Sequence, residues 1–84
     1  MKGKVVHIHQ QRGMVAVLTD DGEYSIIELS GDDIEDDDEL QWTSEPYPLG
    51  FERIKNLTQN TTIEVIFHNH CVPKHQLRQQ LLYE

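Results

Sequence analysis

The chain has 84 residues, 15 of them acidic and 7 basic, for a formal net charge of −8, and it contains a single cysteine, Cys71. That length supports one domain with a core of Val, Ile and Leu, and one cysteine rules out a disulfide framework and suits a reducing compartment, so the cytoplasm is the expected location. The charge argues against duplex binding through Lys–phosphate contacts. No stretch reads as a signal peptide or reaches the roughly 20 apolar residues of a membrane span.

Residues 3–9 alternate around Val5, Val6 and Ile8 and predict a first strand. Gln10, Gln11 and Arg12 make a polar turn closed by Gly13. Met14 to Thr19 reads as a second strand. Asp21-Gly22 then predicts a two-residue hairpin, whose central positions need positive φ, before a third strand from Glu23 to Leu29. Seven of the 15 acidic residues fall within residues 32–39, DDIEDDDE; such a block self-repels and reads as a solvated loop, with Ile34 returning to the core. Leu40 to Trp42 resumes an apolar alternation. SEPYPLG is a loop, and Phe51 to Thr58 gives a fifth short strand with Ile54 and Leu57 inward.

The segment 59–84 supports two readings. TTIEVIF is dense in β-branched residues, which favours a strand. Yet Thr61-x-x-Glu64 has the form of a capping box, and Ile63, Ile66, Phe67 and His70 recur at i, i+3, i+4 and i+7. The helical pattern is the more complete, so two short helices are expected, the second opened by Pro73 and carrying Leu77 and Leu81 on one face. The fold class is therefore mainly β: a five-stranded OB-type barrel over 1–58 with an appended C-terminal helical segment over 59–84, all in one domain.

Several short motifs line up along this barrel: Gly3-Lys4-Val5 at the first strand, Arg12-Gly13 in the turn before the second, Asp21-Gly22, Leu29-Ser30, Glu39 to Trp42, and Gly50 with Asn56-Leu57. In that order, over residues 2–58, they resemble a cold-shock domain. The resemblance implies a face on strands one to three that stacks single-stranded bases on aromatic rings. Here that face departs from the family. The Lys-Gly-Phe-Gly-Phe motif reads Arg12-Gly13-Met14-Val15-Ala16, and Val-Phe-Val-His-Phe reads Ser25-Ile26-Ile27-Glu28-Leu29. The first-strand tryptophan is His7. Stacking contributes roughly 1–3 kcal/mol per base, so losing these rings removes decades of affinity. Glu28 adds repulsion toward phosphate, and of the family's binding residues only Arg12 carries over.

The candidate binding face is thus His7, Arg12, Met14, Ala16, Ile26 and Glu28. It either docks a partner or is covered by the C-terminal helices; residues beyond 58 need an apolar surface to pack on, which favours covering. His68, His70, Cys71 and His75 carry metal-ligating groups within eight positions, but their spacing matches no established zinc pattern. Turn and surface histidines are the plainer reading, and no cofactor is expected. The acidic run lacks the glycine and final Glu of a calcium loop. Cys71 beside His70 and His75 suggests a nucleophile and base, with no orienting group or oxyanion hole recognisable, so no catalytic residue is assigned. A helix-turn-helix would offer Lys74, His75, Gln76, Arg78, Gln79 and Gln80 to DNA, against the field of an acidic protein. The expectation is a non-enzymatic binding or adaptor module with a protein partner, a basic one drawn to the acidic loop. The runner-up is weak single-strand nucleic-acid binding through Arg12, Arg53, Lys55 and the tail.

Overall fold

The computed structural model describes residues 1–81. Among these, six strands form: β1 (Lys2–His9), β2 (Met14–Thr19), β3 (Tyr24–Leu29), β4 (Glu39–Gln41), β5 (Gly50–Asn56) and β6 (Thr61–Val72). A 3-10 turn (Lys74–Gln76) and a four-residue helix, α1 (Leu77–Gln80), follow. The strands close into a barrel in the order β1-β2-β3-β6-β5-β4, with β4 paired back onto β1. Three hairpin-linked strands with the fourth returning beside the first make a Greek key, and this small barrel is consistent with an OB-like fold.

The strand count corrects the five expected, and parity explains the difference. Each neighbouring pair in this ring is antiparallel. A closed ring can be antiparallel throughout only with an even number of strands. The sixth strand is the segment read as a helix, so the barrel runs to Val72 rather than ending at residue 58. Of the two helices expected over 59–84, only the second forms, as the short 74–80 piece; residues 82–84 of that segment lie outside the described residues. Without a helix before Pro73, the helix-turn-helix arrangement does not exist.

The barrel interior packs Val5, Val15, Val17, Ile27, Leu40, Ile54, Ile63, Val65 and Phe67 with Trp42, whose ring meets Phe67 edge-on at 5.0 Å. Gly3 is small by necessity: a Cβ there would sit 2.4 Å from Val17 Cγ1. Ile34 is buried as expected, whereas Leu57 is exposed and Asn56 takes the inward place. The β2–β3 turn also differs in type. The Thr19 and Glu23 backbones bracket three residues, Asp20-Asp21-Gly22, and in that turn only Gly22 has positive φ, +82°. This is a type I turn closed by a left-handed glycine, so Asp21 keeps ordinary φ and its carboxylate accepts the Glu23 N–H at 3.1 Å.

A candidate binding face closed by the C-terminal segment

Alternation sends Val15, Val17 and Ile27 into the barrel and Met14, Ala16 and Ile26 to its outer side. The register then sets rows across the outer face. Lys4 lies beside Leu18, Tyr24 and Val72; His7 beside Ala16, Ile26 and Asn69; His9 beside Met14, Glu28 and Ile66. Of the residues expected on this face, His7, Met14, Ala16, Ile26 and Glu28 share these rows, and the apolar three are closed off from solvent. Met14, Ala16 and Ile26 are buried under Val72 and Leu81, with Tyr24 and Leu77 packed alongside. Burying an aliphatic side chain contributes about 1.5–3 kcal/mol, so buried Leu81 and half-buried Leu77 contribute to holding the short helix on this patch. Asn69 Nδ2 donates to Gln80 Oε1 at 3.2 Å and ties α1 to β6.

The charged members of the face fare differently. Glu28 accepts from His68 Nε2 at 2.8 Å, so its carboxylate is engaged within the protein. Arg12 is exposed and lines an open cleft with Gln11, Met14, Glu28, Gln79 and Gln80. His7 is exposed on β1, next to a bulge that turns Val6 outward as well. Of the described aromatic rings, Trp42 and Phe67 are core, Tyr24 is half-buried, and the exposed ones, Phe51 and Tyr47, belong to β5 and the loop before it.

The histidine cluster is pulled apart by irregularities in β6. Pairing shifts between Phe67 and Asn69, and again before Val72, where Cys71 has φ +54°. His68 turns to Glu28. His70 stacks on Phe67 at 5.2 Å, its Nδ1 lies 2.7 Å from Ser25 Oγ, and its Nε2 meets the Pro48 carbonyl. A carbonyl only accepts, so Nε2 carries a proton, and in the neutral ring Nδ1 accepts from the Ser25 hydroxyl. Ser25 is 1% exposed, so this pair fastens β6 to β3 and the Pro48 loop. Cys71 is exposed, and His75 is exposed on the 3-10 turn. Among the described residues, no three His, Cys, Asp or Glu side chains are placed to hold a metal ion.

The acidic loop corrects another expectation, because one of its carboxylates is buried. Asp38 Oδ2 accepts from the Glu35 N–H at 2.9 Å, Asn56 Nδ2 at 2.8 Å and Gln59 Nε2 at 2.7 Å. Burial works to raise its pKa; the donors from Asn56, Glu35 and Gln59 together outweigh it and hold the carboxyl below the ordinary value. Ile34 is buried, and Asp32 accepts the Glu64 N–H at 3.0 Å. The remaining carboxylates, Asp33, Glu35, Asp36, Asp37 and Glu39, are thereby displayed from an anchored loop.

Sequence reasoning missed the role of Asp38, since a block of like residues marks none of its members. It also missed the approach of Lys74 and Arg78 to His7, which depends on contacts across the whole chain. Among the described residues, no helix is long and apolar enough to cross a membrane. Compared with family models, curated proteins and solved structures, the chain matches none.

Proposed function

We propose that this chain is a small acidic, non-enzymatic protein-binding or adaptor module, a cold-shock-like barrel whose base-stacking face its own tail keeps closed. The observation that carries this reading is the packing of Leu77 and Leu81 over Met14, Ala16 and Ile26. With its phenol ring, Tyr24, half-buried and a helix packed over it, this face offers a single strand little to stack on. The Ser25–His70 pair fits a structural fastening better than catalysis, because no substrate reaches a serine that is 1% exposed. An exposed, unpaired Cys71 agrees with a reducing, cytoplasmic setting.

The partner that suits the molecule is a basic protein segment, met by the anchored carboxylates of residues 33–39. Fixing these groups in advance lowers the ordering cost of docking, and their combined field speeds encounter. A lysine-rich peptide titrated into labelled protein tests this. The expected result is saturable amide shifts confined to residues 32–39 that weaken as salt rises. Absence of shifts there would remove the basic partner from the account. The runner-up, weak single-strand binding, draws on the exposed Arg12 cleft with its glutamine amides; it requires shifts at Arg12 on adding single-stranded RNA.

A further inference from the structure

A second surface, separate from the acidic loop, has the opposite charge. A groove runs between the β1 bulge and the C-terminal turn and helix. Val6, Tyr24 and Leu77 give it an apolar lining, and Lys74, Arg78 and His7 line it with cationic and imidazole groups. No acidic residue is among the described residues that line it, in a chain with about twice as many acids as bases. The bulge is what opens it. Between Val5 and His7 the pairing with β2 slips, and Val6 is left as an extra side chain, 38% exposed, beside half-buried Tyr24 and Leu77. A bulge gives up ladder pairing and re-aims a side chain, and here it presents an apolar one to solvent next to two cations.

We infer that this groove docks a short acidic protein segment carrying apolar anchors. The anchors contact Val6, Tyr24 and Leu77, and the carboxylates meet Lys74 and Arg78. The net charge of the protein does not forbid it, because charges beyond about 8 Å are screened at physiological salt and the nearest cations decide. Single-stranded nucleic acid fits less well. It brings a phosphate at every nucleotide to a site whose strong cations are Lys74 and Arg78, and of the two rings lining it Tyr24 is half-buried and His7 is a small imidazole. The inference does not depend on the acidic loop, and its readout lies on different residues.

The test is an amide-shift titration of the full chain with a synthetic peptide of Asp and Glu residues bearing two leucines. Saturable shifts are expected at Val6, His7, Tyr24, Lys74 and Leu77, with residues 32–39 unmoved. Replacing the peptide's leucines by serine should weaken binding about tenfold. Lys74→Glu should weaken it about fivefold, and Val6→Ser should weaken it as well, whereas Lys55→Glu on β5, with the same charge change, should leave it within about twofold. The inference is overturned by an absence of saturable shifts, by equal binding of the serine peptide, or by equal losses in Lys74→Glu and Lys55→Glu. Tighter engagement of the same residues by a single-stranded oligothymidylate, or by vesicles of anionic lipid, would reassign the groove to that class of ligand and overturn it too.

Discussion

Asp38 shows how one carboxylate can organise a loop made almost wholly of its own kind. Its three donors come from the loop itself, from β5 and from the turn after β5, so it links the acidic segment to the barrel. Asp38→Asn keeps the shape but places an amide where an anion is required, and should cost about 1.5–3 kcal/mol in urea unfolding near neutral pH. Because the folded pKa is lowered, this stability is present above the ordinary Asp value of 3.8 and is lost as pH falls through the depressed value. The gap between wild type and Asp38→Asn should therefore narrow in acid. Asp21 and Tyr47 form a second residue-scale pair: the Tyr47 hydroxyl donates to Asp21 Oδ2 at 2.7 Å. That hydrogen bond and the Asp21 charge push the Tyr47 pKa up to about 12. In a spectrophotometric titration, Asp21→Asn should bring one phenolate transition down toward 10.0, and Tyr47→Phe should abolish that transition.

At the level of elements, β6 is where sequence and structure part, and the reason is specific. Its inward residues are Ile63, Val65, Phe67 and His70. The first three follow the period of two, and the pairing shift after Phe67 then sets His70 three positions after Phe67. That slip puts His70 at the helical i+7 position from Ile63, and with Ile66, which lies on the outer face, it gives an apparent helical spacing, although the β-branched density pointed correctly to a strand. The three-strand meander was legible because alternation and turn residues are local signals. The covering of its outer face was legible too, because the residues beyond 58 need an apolar surface to pack on. The closeness of Lys74 to Val6 was not, because it arises only once β6 pairs with β3. If α1 is held chiefly by its leucines, Leu81→Ala should loosen the lid before it unfolds the barrel. Increased binding of an apolar dye, with changed methyl resonances at Met14 and Ile26, is the expected result at temperatures where the barrel signals persist.

For the whole molecule, the ring of six antiparallel strands gives each described strand two neighbours, although the short β4 pairs only with Lys2–Lys4 of β1 and with Lys55 and Asn56 of β5. The charge is unevenly placed: an anchored acidic loop after β3, and a cation-lined apolar groove at the C-terminal turn. The outer face of the β1–β3 meander is closed by the chain's own tail. The most direct test of that closure is a titration of the intact labelled chain with single-stranded RNA at low salt, followed at Arg12, Met14, Ala16, Ile26 and Glu28. No saturable shift is expected at these residues up to about millimolar RNA, well above the roughly 10⁻⁴–10⁻⁶ M range typical of non-specific binding. Saturable, salt-sensitive shifts centred on Met14, Ala16 and Ile26, with displacement of Leu77 and Leu81, would contradict it.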